Sequence, residues 1–406
     1  MIGQNRAVPG GQGFRQRRDG GDMGMEQLAI FGGTPVREQP LGYGKQWIEE
    51  DDIQAVAEVL RNGDLTCGPM IAAAEQKLCE VTGARYAVVV SNGTAALHLA
   101  AMAAGFGEGD EVIVSPITFA ASANCVLYCG AKPVFADIDP ETYNIDPAAI
   151  EKLVTPRTRG IVAVDYTGQA VRHREIGEIC RRHGLVFIED AAHAIGTRYC
   201  GQPVGSLADM TCFSFHPVKT VTSGEGGAVT TNDEGVYRRL LRLRAHGITR
   251  SREEMVHPTD ALWYNEQVEL GFNYRMTDIQ AALLISQLGK LDRFAARRKE
   301  IVAKYDEALA EIPEVVLQRE IPESDTVRHL YILRLRPERL LCDRRQFFDA
   351  LRAENIYSQV HYLPVYWHSY YEKLGYGKGL CPNAEKLYEE IMSLPLFYGL
   401  RDEDVD

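Results

Sequence analysis

Five short apolar runs alternate with helical patterns between Tyr86 and Asp190. Strands are predicted at residues 86–90, 111–115, 133–137, 160–164 and 185–189, and helices near 93–105, 119–129, 147–153 and 173–183. Parallel strands need a crossover between them, so this alternation indicates a mostly parallel sheet with helices on both faces. The chain is therefore predicted to be an α/β protein with a large domain at residues 25–290.

The pattern changes after residue 290. Strands are predicted at 329–335 and 356–361, and helices from Asp343 to Asn355, near 367–374 and near 383–392. This mixture predicts a small α+β domain at residues 291–406, on which residues 25–65 partly pack. One long helix, with Thr277 as its N-cap, is predicted to link the two domains. Its arginines at 293, 297 and 298 are predicted to form a solvated face.

The two ends of the chain carry further expectations. Residues 1–24 are rich in Gly and Arg and have no apolar core, which predicts a disordered tail or an early start site, with Met23 and Met25 as alternative starts. Acidic residues at 402–404 are typical of the first turn of a helix. The small domain is therefore predicted to be truncated before its last helix.

A lysine lies between a predicted strand at 210–215 and a glycine-rich turn. Aromatic and small neighbours would desolvate Lys219, which lowers the pKa of an amine and makes it a nucleophile towards carbonyls. A lone lysine in a loop is more often a surface residue, but two other strand ends support the functional interpretation. Asp190 ends an apolar strand and could pair with a protonated ring nitrogen. Ser91–Leu97 is a strand end, a small-residue turn and a helix start, which suits a phosphate.

These three stretches, in this order, indicate pyridoxal 5′-phosphate (PLP), and they resemble the DegT/StrS-type PLP-dependent nucleotide-sugar aminotransferases from about Leu28 to the end of the chain. The resemblance implies the PLP-dependent transferase fold type I and a homodimer with a composite active site. The similar segments are Ser91–Leu97, Ser115–Phe119, Val164–Gln169, Glu189–Gly196, Phe213–Gly227, Arg244–Ile248, Gly271–Arg275 and Val360–Pro364.

The resemblance also implies roles for individual residues. Lys219 would hold PLP as a Schiff base, Asp190 would pair with its ring nitrogen, and His193 would contact its phenolic oxygen. Phe119 would stack on the ring, while Gly93, Thr94 and Ser214, with Asn273 from the neighbouring subunit, would hold the phosphate. The residues expected at the sugar nucleotide are Tyr43, Asp64, Leu65, Thr66, Val360, His361 and Tyr362.

The reaction implied by the resemblance transfers the amino group of L-glutamate to C4 of a UDP-linked 4-keto-6-deoxy-N-acetyl-hexosamine. Segments Val164–Gln169 and Val360–Pro364 favour UDP-4-amino-4,6-dideoxy-N-acetyl-β-L-altrosamine as product, on the route to pseudaminic acid. Another nucleotide sugar, such as a precursor of 4-amino-arabinose or perosamine, is the alternative. A sensor or scaffold without turnover stays open, whereas Lys219 disfavours the family's sugar dehydratases, which have histidine at this position.

Composition limits the other classes of function. The net charge of −12 disfavours a nucleic-acid binder, and no apolar run is long enough to span a bilayer. No spacing typical of a metal site is present, so no metal is expected. Nine scattered cysteines without a C-x-x-C pair are interpreted as reduced, which predicts a cytoplasmic protein.

Overall fold

The structure is a computed structural model that describes residues 27–406. The predictions for residues 1–24, and the first two residues of the predicted large domain, lie outside the described residues. Among the helices of the described part, none has the length and apolar character needed to cross a membrane.

The helices of residues 27–406 are α1 (Glu50–Asn62), α2 (Pro69–Thr82), α3 (Gly93–Ala103), α4 (Ala121–Tyr128), α5 (Pro147–Leu153), α6 (His173–His183), α7 (Glu234–Arg244), α8 (Asp278–Leu288), α9 (Leu291–Ala310), α10 (Arg344–Ala353), α11 (Ser369–Lys373), α12 (Pro382–Glu390) and α13 (Asp402–Val405).

The strands of the same residues are β1 (Leu41–Gly42), β2 (Tyr86–Val90), β3 (Glu111–Val114), β4 (Lys132–Phe135), β5 (Thr158–Val164), β6 (Val186–Asp190), β7 (Arg198–Tyr199), β8 (Gln202–Pro203), β9 (Met210–Ser214), β10 (Gly227–Thr231), β11 (Ile248–Thr249), β12 (Glu266–Gln267), β13 (Val315–Val316), β14 (Ser324–Asp325), β15 (Tyr331–Leu335), β16 (Ile356–Tyr357) and β17 (Ile391–Leu394).

A seven-stranded sheet forms the centre, in the order β2-β10-β9-β6-β5-β3-β4. Only β10 runs against its two neighbours, and the other pairs are parallel. Successive side chains of a strand point to opposite faces, and β2 shows this directly. Val88 and Val90 pack in one apolar cluster with α3, α4 and α7, while Ala87 and Val89 pack in another with α2 and α8. The predicted mostly parallel sheet with helices on both faces is confirmed.

The direction of the strands brings three predicted site segments to one edge of the sheet. Strands β2, β6 and β9 are all parallel to one another, so their carboxyl ends lie at the same edge. Asp190 pairs with Cys212 in β9, and Gly227 of β10 pairs with both Val90 and Ser214. The segments that follow these strand ends therefore surround a common space.

The C-terminal part contains an antiparallel sheet, β13-β15-β17, with two differences from the prediction. The predicted helix at 383–392 ends at Glu390, because Ile391 and Met392 are fully buried in a strand paired with β15. The predicted strand at 356–361 covers only Ile356 and Tyr357, which pair with β1. This pairing joins an N-terminal segment to the C-terminal part, while the domain boundary at residue 290 stays a prediction.

The prediction of a single long helix from Thr277 is wrong, because the chain forms two helices, α8 and α9, with a break at Gly289 and Lys290. Glycine is a poor helix former, and the Lys290 ammonium turns towards Asp51 and Asp52 of α1, at 2.6 and 2.7 Å. Thr277 does cap α8, as predicted. The prediction of a solvated arginine face is wrong for Arg298. This residue is only 2% exposed, and its guanidinium donates to backbone carbonyls, including that of Leu396.

Candidate active site

The strand ends enclose a cavity of about 660 Å³. Among its lining residues are Lys219, Asp190, His193, Phe119, Gly93, Thr94, Ser214, Tyr43, His361 and Tyr362, all of them predicted from the sequence. A cavity of this size is typical of cofactor and small-molecule sites. The structure thus brings together ten of the residues that the resemblance marked.

Lys219 follows β9 in a tight turn, in which its N–H donates to the carbonyl of His216 at 2.9 Å. The glycine-rich segment after it is tied back to the strand end, because the N–H of Ser223 donates to the Phe215 carbonyl at 3.0 Å. Burial lowers the pKa of Lys219 to about 8, against a smaller opposing effect of Asp190. Roughly a tenth of the amine is therefore neutral and nucleophilic at pH 7, far more than for an ordinary lysine.

Asp190 ends β6 and is buried, with hydrogen-bond donors on both carboxylate oxygens. The hydroxyl of Ser122 donates to Oδ2 at 2.6 Å, and the N–H of Ala192 donates to Oδ1 at 3.1 Å. Burial raises the pKa of Asp190, while these two donors act in the opposite direction. A buried carboxylate of this kind can pair with a protonated ring nitrogen.

The start of α3 offers a seat for a phosphate. Asn92 caps the helix by accepting from the N–H of Ala95 at 2.8 Å, so the free N–H groups of the first turn point out of the helix end. A Cβ atom added to Gly93 would lie 2.8 Å from the Cβ of Ser214. Glycine is therefore required here for the helix start and the strand end to approach each other.

Aromatic rings form one side of the cavity. Phe119 is 62% exposed although it is apolar, and its ring centroid lies 6.3 Å from that of Tyr362. The Tyr362 hydroxyl lies 3.2 Å from Nε2 of His193, while Nδ1 of His193 is buried and has no hydrogen-bond partner among the described residues. Burial holds the pKa of His193 well below its usual value, so this imidazole is neutral.

Tyr43 and His361 lie beside each other, with ring centroids 4.8 Å apart. Nδ1 of His361 lies 2.8 Å from the Ser393 hydroxyl. Burial lowers the pKa of His361 to about 4. At neutral pH this side chain can offer a hydrogen bond to an anionic ligand but no positive charge.

Five predicted residues do not line the cavity. Asp64, Leu65 and Thr66 lie in the turn before α2, where Thr66 forms a bridge with Thr277 and the Leu65 carbonyl accepts from the N–H of Asp278 at 3.0 Å. Val360 packs against the apolar cluster of the C-terminal sheet. Asn273 is exposed and bridges to Ala245, although its neighbour Tyr274 does line the cavity.

Sequence reasoning missed several residues at the site, among them His329, Tyr274 and Ser122. His329 lines the cavity with its ring 4.6 Å from that of His193, and no local motif marks it. Tyr274 also lines the cavity, and its hydroxyl oxygen lies 3.1 Å from Nδ1 of His98. Ser122 could have been found from its spacing, because it follows Phe119 by three residues at the start of α4.

Asp165, His173 and Glu189 are the one group of potential metal-ligating side chains found within residues 27–406, and all three are buried. Nε2 of His173 lies 2.8 Å from Oε1 of Glu189, and Thr211 donates to the other oxygen at 2.7 Å. Burial raises the pKa of Asp165, whereas His173 holds that of Glu189 down. The expected absence of a metal stays a prediction.

The residues present fit PLP at four points: an amine of lowered pKa, a buried carboxylate, a helix start closed by Gly93 and Ser214, and an exposed aromatic face. The free Nδ1 of His193 could meet the ring's phenolic oxygen. These features come from four separate segments of the chain, and each matches a different part of the cofactor.

Comparison with known proteins supports the same interpretation. The spore coat polysaccharide biosynthesis protein SpsC of Bacillus subtilis is 40% identical over 91% of this chain and 95% of its own length. The UDP-4-amino-4,6-dideoxy-N-acetyl-β-L-altrosamine transaminase of Campylobacter jejuni is 38% identical over 89% of this chain and 94% of its own.

Among solved structures, Helicobacter pylori PseC, described as an aminotransferase of pseudaminic acid biosynthesis, superimposes with a TM-score of 0.84. It is 32% identical and covers 90% of this chain and 96% of its own. Residues 46–406 match the DegT/DnrJ/EryC1/StrS aminotransferase family. The resemblance and the fold type are confirmed: the chain is a PLP-dependent sugar aminotransferase that belongs to the DegT/DnrJ/EryC1/StrS family.

Proposed function

We propose that the chain transfers the amino group of L-glutamate to C4 of a UDP-linked 4-keto-6-deoxy-N-acetyl-hexosamine. The product would be UDP-4-amino-4,6-dideoxy-N-acetyl-β-L-altrosamine, which serves pseudaminic acid synthesis in the cytoplasm. The observation that carries the proposal is the cavity itself, which has an amine with a pKa of about 8 and a buried carboxylate among its lining residues. The names of the Campylobacter and Helicobacter relatives support the choice of sugar.

The chemistry divides between the cofactor and the chain. PLP, when bound, supplies a carbonyl that exchanges amines and a ring that accepts an electron pair. The Nζ of Lys219 would hold that carbonyl, and as a free amine it would take the proton from the α-carbon of glutamate and deliver it to the cofactor carbon. Asp190 would hold the ring nitrogen of the cofactor and favour its protonated form. Tyr362 keeps its proton because burial raises its pKa. Its hydroxyl lies 3.2 Å from Nε2 of His193, and donation to that nitrogen would leave the ring proton on Nδ1.

The lining residues divide between the cofactor phosphate and the sugar nucleotide. Gly93, Thr94 and Ser214 hold the cofactor phosphate through N–H and O–H donors. Tyr43 and His361 contact the sugar nucleotide with Tyr362, and His361 does so as a neutral donor. For Asp64, Leu65, Thr66 and Val360, a contact with the sugar nucleotide stays a prediction, because none of them lines the cavity.

A second nucleotide sugar is a serious candidate for one specific reason. The Bacillus spore coat protein is as similar to this chain as the altrosamine transaminase is, at 40% against 38% identity. Its name refers to the biosynthesis of a spore coat polysaccharide. Aminotransfer to another nucleotide-linked keto-sugar would use the same Lys219 chemistry and differ only in the contacts to the sugar.

The sugar is tested by direct competition. The PLP-loaded enzyme is given ¹⁵N-glutamate and equal amounts of UDP-, dTDP- and GDP-linked 4-keto-6-deoxy sugars. We expect ¹⁵N to enter the UDP-N-acetyl sugar with a kcat/KM about tenfold or more above the others, because a site built to bond an N-acetyl group rejects sugars that lack it. NMR of the product then gives the configuration at C4. Preferential labelling of another sugar would replace the proposed substrate and leave the aminotransferase assignment intact.

We further propose that the active site is completed by a second copy of the chain. Asn273 is exposed, while the next residue, Tyr274, lines the cavity of its own subunit. Leu262, Trp263 and Leu270, which are 98%, 85% and 74% exposed, lie in the segment just before Asn273. Exposed apolar residues grouped in this way are typical of an interface. Asn273 would then bond the cofactor phosphate of the other subunit.

Mixed dimers test this arrangement. Lys219→Ala and Asn273→Ala each impair every site of their own homodimers. A dimer with one subunit of each kind has one intact site if Asn273 acts across the interface, so activity should return on mixing after dissociation. Lys219→Ala mixed with Ser214→Ala is the control, because those residues belong to one subunit and no intact site forms. If the activity of the Lys219→Ala and Asn273→Ala mixture stays as low as that of the control mixture, Asn273 belongs to its own subunit's site or to no site.

A further inference from the structure

A chain of two hydroxyl groups leads to the carboxylate of Asp190. The Thr118 and Ser122 side-chain oxygens lie 2.7 Å apart, and the Ser122 oxygen lies 2.6 Å from Oδ2 of Asp190. All three residues are buried, with Ser122 fully so. Ser122 and Thr118 were not among the predicted site residues, and the reaction steps described above do not use them.

The direction of these hydrogen bonds follows from the number of protons. Ser122 has a single hydroxyl proton and three possible acceptors among the described residues: Oδ2 of Asp190 at 2.6 Å, the Thr118 hydroxyl oxygen at 2.7 Å and the Phe119 carbonyl at 3.2 Å. The proton goes to the nearest and charged oxygen, because charge-assisted hydrogen bonds are shorter and stronger. Thr118 must then donate to Ser122, which polarises the Ser122 hydroxyl towards Asp190.

We propose that Ser122, oriented by Thr118, is a positioning residue that keeps Asp190 ionised and aimed at the ring nitrogen of the cofactor. The proposal rests on the proposed placement of that nitrogen at Asp190. Burial works against the charged carboxylate, and each donor on it works the other way. Without Ser122, Asp190 would keep a proton, and the ring nitrogen would lose one. The ring would then accept the electron pair of the α-carbon less well.

The surroundings of Asp190 show why one hydroxyl matters. Burial is the largest effect on the pKa of Asp190 and raises it, and Ser122 is the largest effect in the opposite direction, ahead of the Ala192 N–H and of Lys219. Glu189 raises it slightly. Cys125 and Cys212 also face the carboxylate, and burial raises the pKa of each thiol, so both stay neutral. Tyr362 is likewise neutral because burial raises its pKa.

The test reads the protonation of the ring nitrogen directly. The enzyme and its variants are loaded with PLP that carries ¹⁵N in the ring, and the nitrogen resonance is recorded by NMR. Single-turnover reaction with glutamate is followed on the same samples. The variants are Ser122→Ala, Ser122→Thr, Thr118→Val and Asp190→Asn. None of these measurements needs a sugar substrate, so they do not depend on which sugar is correct.

We expect Ser122→Ala to move the resonance towards the unprotonated position and to slow the glutamate reaction by about tenfold or more, as loss of a hydrogen bond to a charged group implies. Ser122→Thr restores the hydroxyl and should return both values to those of the wild type. Thr118→Val should shift the resonance in the same direction by less. A wild-type resonance in Ser122→Ala, together with a shifted one in Asp190→Asn, would overturn the role of Ser122.

Asp190→Asn separates this inference from the site assignment on which it rests. If the resonance in Asp190→Asn equals that of the wild type, the ring nitrogen does not lie at Asp190. In that case the site assignment and the role of Ser122 are both wrong. A lower melting temperature of Ser122→Ala with an unchanged resonance would show a packing role only and contradict the proposal. Ser122→Thr shows in the same series whether loss of the hydroxyl or a change in side-chain volume causes the effect of Ser122→Ala on the resonance and the rate.

Discussion

Replacing Lys219 with alanine should abolish the reaction with glutamate. The amine of Lys219 is the nucleophile and the proton carrier in the proposed mechanism, and its pKa of about 8 fits both tasks. Loss of a general acid–base group alone costs about 10²- to 10⁴-fold in rate, and loss of the covalent link adds to it. We therefore expect the rate of glutamate-dependent bleaching of the bound cofactor's visible band to fall by about 10³-fold or more.

The control for this variant is Lys152→Ala, since Lys152 is an exposed lysine on α5 and its replacement should leave the rate unchanged.

The rate at which the wild-type protein binds PLP should depend on pH. Burial lowers the pKa of Lys219, so its amine is protonated below about pH 8 and neutral above it. Capture of free PLP by the cofactor-free protein should accelerate as pH rises through about 8. An increase centred near the pKa of an ordinary lysine, about 10.4, would contradict the burial of this amine.

Gly93→Ala should weaken the binding of PLP by roughly 10- to 100-fold. The new Cβ would lie 2.8 Å from the Cβ of Ser214, so the start of α3 and the end of β9 must move apart. Overpacking of this kind costs about 1–3 kcal/mol, and here the groups that move are those proposed to hold the phosphate. Fluorescence titration of the cofactor-free protein with PLP measures the change in Kd.

Gly107→Ala is the matched control, because a Cβ at Gly107 would have no atom of residues 27–406 within 4 Å and should change neither Kd nor stability. Thermal unfolding of both variants separates a local effect from a loss of folding. A wild-type Kd in a folded Gly93→Ala protein would mean that the phosphate is bound elsewhere. It would also remove the reason for glycine at this position.

The sequence predicted the part of the fold that depends on strand order. The apolar runs between Tyr86 and Asp190 are parallel strands, and parallel strands end at one edge of the sheet. That geometry alone brings Gly93, Asp190 and Lys219 together, although they are far apart in the chain. The resemblance then supplied the side chains on the loops, such as Phe119 and His361, and both of them line the cavity.

Features decided by tertiary packing could not be predicted. Arg298 lies among other basic residues in the sequence, yet the fold buries it, and one of its guanidinium nitrogens donates to carbonyls of two distant segments. Ile391 and Met392 continue a helical pattern locally, but pairing with β15 makes them a strand. The break at Lys290 depends on carboxylates in α1. In each case the deciding partner is remote in sequence.

The site shows the same division. His329 was missed because its partner, His193, is remote in the chain, whereas the spacing of Ser122 after Phe119 could have revealed it. The contacts of Asn273 were inferred only from the resemblance, since they would involve a second subunit. A single chain can place Asn273 on the surface, and its role across an interface needs the mixed-dimer experiment.

The central claim is that Lys219 holds the cofactor, and the most direct measurement is to find the lysine that carries it. The PLP-loaded protein is treated with borohydride, which fixes the cofactor to its amine, and its peptides are analysed by mass spectrometry. We predict one modified peptide, containing Lys219, and no modification when L-glutamate is added before the borohydride. Modification of another lysine, or of none, would contradict the assignment of the active site.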